Sequence, residues 1–300
     1  MSKIVVYTAI AGKYDLLKEP PGKLLKEADF VAFCDFTLPN TAWQIRKVCS
    51  EFEDPCRNAK IHKILPHLFF PEAAYSLWID GSVKITRPFP IRQWIQEHLR
   101  EHDWAVFKHS ERQCIYEEGD ACIRLAMDDP AIIRNQMARY RSEQYPPNNG
   151  LVESPVILRR HTEAVRRLNE AWFQEIKNNS RRDQLSFNYI AHKNSLKFSH
   201  LPDSLRYGPG RYFRIQFHLA QELRIRKALA NRLLLIFMVL AFAWIPVGLL
   251  VILADATLRP VISVIGHLWP LTAVPLGCAV IFWIWRLSLK RQIREKRWEY

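Results

Sequence analysis

Two runs in this chain carry no charged residue: 22 residues from Leu233 to Ala254, and 25 from Val261 to Trp285. Each exceeds the roughly 20 apolar residues that span about 30 Å of hydrocarbon. The link between them, Asp255–Pro260, is six residues. Two spans so closely joined can only pack as an antiparallel helical hairpin, because backbone polar groups in lipid must be satisfied within each helix. Arg224, Arg226, Lys227 and Arg232 precede the first run, and Arg286, Lys290, Arg291, Arg294, Lys296 and Arg297 follow the second; the link holds only Arg259. The positive-inside rule therefore puts both ends on the cytoplasmic side. The expectation is a multi-pass protein of the inner (cytoplasmic) membrane, with a hairpin over 232–286 and a basic tail over 287–300.

Charge distribution supports the same partner. The formal net charge is +13, and the last eighty residues hold eleven Lys/Arg against four Asp/Glu. A basic excess beside apolar runs suits an anionic membrane surface. The first 220 residues show no basic stripe interleaved with aromatics, so nucleic acid is not an expected partner. Tyr212, Ile215, Leu219 and Leu223 recur at steps of three and four, which reads 211–231 as an amphipathic juxtamembrane helix or as the last helix of the domain before it. The six cysteines show no CxxC spacing or zinc pattern and read as reduced thiols. The N-terminal apolar run is too short for a signal peptide.

Residues 1–210 alternate strand and helix signals, the pattern of an α/β domain with a mainly parallel sheet. Strands are expected over Lys3–Ala9, Asp29–Phe36, Tyr75–Asp80, Trp104–Phe107 and Leu151–Leu158. Helices are expected over Cys56–Leu65, Ile91–Glu101, Tyr116–Leu125, Pro130–Ser142 and His161–Lys177, the last with Val165, Leu168, Trp172 and Ile176 on one face. Tyr145–Gly150 reads as a loop. Ser180 and Asp183 have the spacing of a capping box opening a further helix.

The chemistry-bearing stretch is Tyr75-Ser76-Leu77-Trp78-Ile79-Asp80-Gly81-Ser82. A buried strand that ends in Asp-Gly-Ser presents an acid at the sheet's carboxyl edge, where open α/β sheets bind ligands. Asp80 and Ser82 offer oxygen ligands suited to Mg²⁺ or Mn²⁺ carrying a substrate phosphate. A plain Asp-Gly turn accounts for the same residues. The first strand and its loop, with Thr8, Ala9, Ile10 and Tyr14, are placed to hold a nucleotide. Asp35, closing the second strand, reads as a base or ribose contact or as a turn cap. Arg57, Lys60 and Lys63 or His67 read as diphosphate contacts or as a solvated basic helix face. His109 and Arg112 belong to a polar cluster after the fourth strand.

Several of these segments together resemble a known family. They are Tyr7-Thr8-Ala9-Ile10 with Gly12, Tyr14 and Asp15; Lys63-Ile64-Leu65-Pro66-His67; Leu77-Trp78-Ile79-Asp80-Gly81; His109 to Arg112 with Cys114 to Glu118; and Ser180 to Phe187. The combination, over roughly residues 3–200, resembles the glycosyltransferase-like domain of plant turgor-regulation and mucilage-related proteins, which also occurs in bacteria. The resemblance implies a GT-A-like fold, similar to glycosyltransferase family 8, with a nucleotide-sugar donor and a Mn²⁺ or Mg²⁺ ion. It implies that Asp80 is the first acid of a DxD motif, with Ser82 where the second would stand and His200 as a further metal ligand. It implies that Asp183 and Gln184 lie near the sugar as catalytic residues. The expected activity is transfer of a sugar to a glycan or lipid-linked acceptor at the cytoplasmic face of the membrane. The rival expectation is a catalytically silent nucleotide-sugar-binding or assembly partner. A metal phosphohydrolase would need a carboxylate/His cluster that the sequence does not show.

Overall fold

The computed structural model describes residues 2–12, 14–202, 205, 212–216 and 229–240. The chain divides into two compact units, Met1–His218 and Leu219–Tyr300.

The first unit is built on a seven-stranded sheet. Its strands are β1 (Ile4–Ile10), β2 (Asp29–Cys34), β3 (Gln44–Lys47), β4 (Tyr75–Ile79), β6 (Trp104–Lys108), β7 (Val152–Arg160) and β8 (Ser199–Leu201), ordered β3-β2-β1-β4-β7-β6-β8. Only β7 runs antiparallel to its neighbours; the other pairings are parallel. The sheet is thus mixed and mainly parallel. All seven residues of β1 are buried, as a strand covered on both faces requires. A small two-stranded ribbon pairs β5 (Val83–Ile85) with β9 (Phe213–Ile215).

Helices cover both faces. One core layer packs α1 (Pro55–Ile64), α4 (Ile115–Arg124), α5 (Pro130–Ser142), α6 (Glu163–Asn178) and α7 (Phe187–Lys193) against the sheet, with α2 (Pro66–Phe69) continuing α1. The opposite layer is filled from α3 (Ile91–His98) and the β5–β9 ribbon. Local chemistry sets the helix starts. Asp54 caps α1 through Cys56 N with Pro55 in the first turn, Asp129 and Pro130 do the same for α5, and Thr162 caps α6 through Val165 N. The apolar stripe expected on α6 is buried, including Val165, Leu168, Trp172 and Ile176.

Because β7 alone is reversed, the ends of β1, β2, β4 and β6 and the start of β7 lie along one sheet edge. β7 bears an irregularity there. Its register against β6 jumps from Val106↔Ile157 to Phe107↔Glu153, leaving three β7 residues without β6 partners. Pro155 sits in this bulge, where its missing N–H breaks no ladder bond to β6. Its carbonyl accepts from Asp80 N at 2.7 Å.

Two expectations are revised and one falls outside view. The amphipathic reading from 211 onward starts as strand. Phe213 is buried against Phe89 and Trp94, and Phe213–Ile215 ladder with β5. Within 180–186 the chain makes a 3-10 turn, Asp183–Leu185, before α7. No capping box forms: Ser180 N donates to Gln136, and the Ser180 hydroxyl to Asp128. In the second unit, residues 229–240 are helical and expose Leu235, Ile236, Val239 and Leu240. Among the described residues no helix is long and apolar enough to cross a membrane. Most of the expected hairpin, 241–254 and 261–285, and the tail over 287–300 lie outside the described residues.

Candidate functional site

The site grows from α1. Lys60 and Lys63 are three apart and share a helix face. Both reach Asp183 Oδ2, each at 2.6 Å. Lys63 also reaches Asp80 Oδ1 at 3.0 Å and Ser154 Oγ at 3.4 Å. Its three ammonium hydrogens therefore meet three acceptors, Asp183, Asp80 and Ser154, as a protonated lysine requires. The Ser154 hydroxyl in turn donates to Asp183 Oδ2 at 3.0 Å. Ser154 arrives there from the β7 bulge, directly beside Pro155, whose carbonyl holds Asp80 N. The bulge thus brings together the strand carrying Asp80 and the segment carrying Asp183.

The two carboxylates differ. Asp183 is 4% exposed, whereas the Asp80 side chain is 29% exposed. Burial alone would raise the Asp183 pKa, but Lys60 and Lys63 outweigh it and hold the carboxyl well below the usual range. Burial opposes the Lys60 charge, and Asp183 and Asp80 more than restore it. Lys63 has its pKa pulled below the ordinary lysine value by complete burial, against the pull of the same two acids. Asp80 Oδ1 also accepts the Trp78 indole N–H at 2.6 Å. Gln184 fixes the neighbouring backbone by donating to Val152 O at 3.2 Å, and its side-chain carbonyl accepts from Arg182.

The β1 loop closes in from the other side. Asp35 Oδ2 accepts from Gly12 N at 2.6 Å, and Gly12 has φ +67°, a conformation glycine adopts without strain. A side chain at Gly81 would lie only 3.0 Å from Ile10 and 3.1 Å from Asp15, so the turn after Asp80 admits only glycine without a shift of its neighbours. Lys18 donates to Gly81 O. Thr8, Ala9 and Ile10 are buried in β1, and Tyr14 is exposed. Burial raises the Tyr14 pKa, followed in effect by Asp15 and Cys56, with Arg182 and Arg181 acting against them. The loop thus faces the N-terminal end of α1 and the 181–182 pair.

A second polar cluster lies after β6. His109 Nδ1 accepts from the backbone N–H groups of Glu111 and Arg112 at 3.1 and 3.0 Å. Its Nε2 is 3.6 Å from Glu118 Oε2, which takes Arg112 Nε at 2.6 Å. Glu153, fully buried, accepts from both the N–H and the hydroxyl of Ser110. Arg182 connects the two clusters: burial opposes its charge, and Asp183, Cys122 and Glu118 sustain it.

The structure therefore gathers Asp80, Lys63, Asp183 and Gln184, with Lys60, Ser154 and Arg182. The first four are legible in the sequence, as is Lys60 as a candidate diphosphate contact. Ser154 is not, because only the bulge turns it to Asp183. Arg57 is engaged elsewhere, donating to Ile176 O and to Asn179 O at the C-terminal end of α6. His109 and Arg112 are tied to Glu118. His200 is exposed on β8 at the sheet edge, beside β6 and not beside β4. Of the three expected ligands of Mn²⁺ or Mg²⁺, His200 stands on the edge strand away from the strand that carries Asp80, and Ser82 is buried in the turn after Asp80. Asp80 Oδ1 already accepts from an ammonium and an indole N–H, which leaves this acid one oxygen, Oδ2, beside a fixed positive charge. No three His, Cys, Asp or Glu among the described residues could together hold a metal. This donor set does not fit a resident divalent ion.

A probable hexosyltransferase of Arabidopsis thaliana, MUCI70, is 28% identical over 223 residues, covering 65% of this chain and 38% of that protein. An Arabidopsis thaliana protein described as the alkaline ceramidase TOD1 is 26% identical over 220 residues, covering 62% of this chain and 48% of its own. The chain thus spans less than half the length of these curated relatives. Among solved structures, a glycosyltransferase involved in the glycosylation of the major capsid of PBCV-1 covers 66% of this chain and 81% of its own, at 8% identity and a TM-score of 0.35. Mouse xyloside xylosyltransferase 1, apo form, covers 67% and 84%, at 13% identity and a TM-score of 0.40. Those scores are too low to bear on the chemistry. The family model for the TOD1/MUCI70 glycosyltransferase-like domain matches residues 1–201, two thirds of the chain and the whole of the site described above, and the chain belongs to that family.

Proposed function

We propose that the domain transfers a sugar from a nucleoside-diphosphate donor to a hydroxyl of a glycan or lipid-linked acceptor, at the cytoplasmic face of a membrane. The observation that carries this reading is the Asp80–Lys63–Asp183 cluster at the carboxyl edge of the sheet, in a chain related to a probable hexosyltransferase. In the step, the acceptor oxygen bonds to the anomeric carbon as the bond from that carbon to the β-phosphate oxygen breaks. The electron pair of the broken bond leaves with the diphosphate, and the hydroxyl proton passes to a base or to water. Negative charge grows on the leaving oxygen and positive charge on the sugar. Fixed cations stabilise the first and a low-pKa carboxylate stabilises the second. Asp183 suits the latter role, because two lysines keep it ionised while buried.

Membrane attachment is part of the same proposal. The exposed leucine, isoleucine and valine side chains of 229–240 begin the first charge-free run, and tethering would bring a membrane-borne acceptor to the site at high local concentration. Thr257→Cys should then be labelled from outside the cell and Ser288→Cys should not.

The experiment is donor turnover by the full chain in detergent, across a panel of nucleotide sugars, with release of the nucleoside diphosphate as readout and ceramide as a parallel substrate. Release from one donor, stimulated by acceptor glycan or lipid, supports the reading. A donor that binds without cleavage supports a silent binding protein, and ceramide cleavage without donor turnover supports a hydrolase.

A further inference from the structure

We propose that this site holds the donor diphosphate with fixed side-chain cations in place of a divalent metal: Lys60 and Arg182 face the phosphates, and Lys63 acts behind them as an internal cation locking Asp80 to Asp183. The inference rests on the glycosyltransferase reading above and says how that site handles charge.

The first argument is occupancy of the acid. A metal at a strand-end aspartate needs a free carboxylate oxygen facing the ligand. Asp80 has only Oδ2 to offer, because Oδ1 is bonded by Lys63 at 3.0 Å and by Trp78 at 2.6 Å. A divalent ion there would meet an ammonium at close range, and like charges that near repel strongly away from bulk water. Lys63 cannot swing away. It is 1% exposed, and its three hydrogens are held by Asp80, Asp183 and Ser154.

The second argument is unspent donor capacity. Lys60 gives one hydrogen to Asp183, leaving two of its three N–H groups without a side-chain acceptor. Its side chain is 15% exposed, at the margin between the core and the edge of the site. Arg182 donates to Gln184 Oε1, but its Nε is buried with no partner. A buried guanidinium edge without an acceptor is costly unless a ligand supplies one. Phosphate oxygens are the acceptors that guanidinium and ammonium groups bind best.

The third argument is charge. Lys60, Lys63 and Arg182 face Asp80 and Asp183, so the cluster is one positive charge in excess before any ligand arrives. An acidic metal site has the opposite balance and needs its ion to attract phosphate. This cluster is already set for a polyanion. The groups facing Arg182 include Glu118 and Cys122 from α4, and Tyr14 from the β1 loop lies near it. Glu118 is itself claimed by Arg112.

Titration calorimetry with UDP, GDP and dTDP on the full chain in detergent tests the inference, first in EDTA and then with Mn²⁺ or Mg²⁺ added back. The expected result is that one of these binds in EDTA with a Kd within about twofold of its Kd with metal. Lys60→Met and Arg182→Met should each weaken that binding by about tenfold or more, the scale of one charge-assisted hydrogen bond. Lys60→Arg, which keeps the charge, should stay within a few fold, and its melting curve controls for folding. Binding that appears only with Mn²⁺ or Mg²⁺ overturns the inference and leaves the glycosyltransferase reading standing. Metal-free binding unchanged in both methionine variants also overturns it. Failure of all three nucleotides to bind under either condition, with nucleotide sugars left uncleaved, overturns both.

Discussion

Lys63 and Arg159 are both fully buried cations, and they touch: Arg159 donates to Lys63 O at 2.6 Å. Their surroundings differ in kind. Lys63 is surrounded by two carboxylates and a hydroxyl, at the edge where the sheet opens. Arg159 has neutral partners: Tyr7 Oη, Lys63 O, Ile64 O and Asn169 Oδ1, with the Trp104 ring 4.9 Å away. Its guanidinium meets the last carbonyls of α1, where the helix dipole favours a cation. Burial pulls the Arg159 pKa below its ordinary value, and Tyr7 opposes that. One cation therefore fixes where α1 ends, and the other fixes which charges α1 presents. A buried cation met by carbonyls holds the fold together, while one met by partly open carboxylates holds the charge of a site.

The strongest test of that division is Asp183→Asn. It removes the carboxylate that Lys60 and Lys63 share, and transfer should fall by about a hundredfold or more if the acid supports charge on the sugar. Melting temperature should fall too, because two buried ammonium groups lose their counter-charge. Normal turnover would remove Asp183 from the chemistry. Arg159→Met comes next and should act on stability alone. It strips hydrogen bonds from two buried carbonyls and from Tyr7, at a cost of about 3 kcal/mol in denaturant unfolding. The Kd for nucleoside diphosphate, corrected for folded fraction, should stay within about twofold. A loss of binding as large as that in Lys60→Met would break the comparison. Asp80→Asn should have a smaller effect on binding. An amide oxygen still accepts from Trp78, and the cluster gains positive charge, so diphosphate binding in EDTA should hold or tighten. A loss of that binding in Asp80→Asn would show that the site's cations depend on this acid for their placement, and a loss confined to binding with Mn²⁺ or Mg²⁺ present would favour an acid that carries a metal.

The sequence placed much of this at the right edge and left its connections unread. Tyr75–Ile79 announces a strand ending at Asp80 because an apolar run stops at Asp-Gly. Pro130 and the apolar spacing of Glu163–Asn178 announce their helices almost to the residue. Lys63 reads equally well as a solvated helix face, since helical spacing alone does not say which face meets a carboxylate from elsewhere. Asp183 looks like half of a capping box with Ser180, yet both side chains are taken by distant partners, Lys60 and Lys63 for one and Asp128 for the other. Arg159-Arg160 falls between the strand expected over Leu151–Leu158 and the helix expected from His161. The first of the pair turns inward because Asn169, Tyr7 and the α1 carbonyls await it, a tertiary fact with no local signal. Strands β3, β5, β8 and β9 are four residues or fewer and leave almost no periodicity to read.

The smallest effect sharpens the comparison through two histidines, one beside each cation. His62 precedes Lys63 on α1. It stacks on Phe33 at 3.8 Å, and its Nε2 accepts from Cys49 N, so the ring is held neutral. His161 follows Arg159 and Arg160, with Nε2 2.8 Å from Ser76 Oγ. Burial lowers the His62 pKa to about 3. Burial, and after it the Arg159 charge, lowers that of His161 to about 4. Both folded values lie below the unfolded value of about 6.5, so in that window the unfolded chain binds more protons than the folded one. Their contribution to stability is complete above about pH 6.5. It drains as pH falls toward the folded values and levels off below them. Between pH 6.5 and about 4.5 this amounts to about 2 kcal/mol for each histidine, in a range above where most carboxylates titrate. His161→Gln should flatten its share of that acid limb, measured as melting temperature against pH. Arg159→Met should flatten it partly, because His161 loses a repelling neighbour and its pKa climbs back toward 6.5. Lys60→Met should leave the limb unchanged, since no lysine at the site acts on either histidine. An acid limb that responds to Lys60→Met and ignores Arg159→Met would show that the two cations are coupled through α1 and do not divide the work.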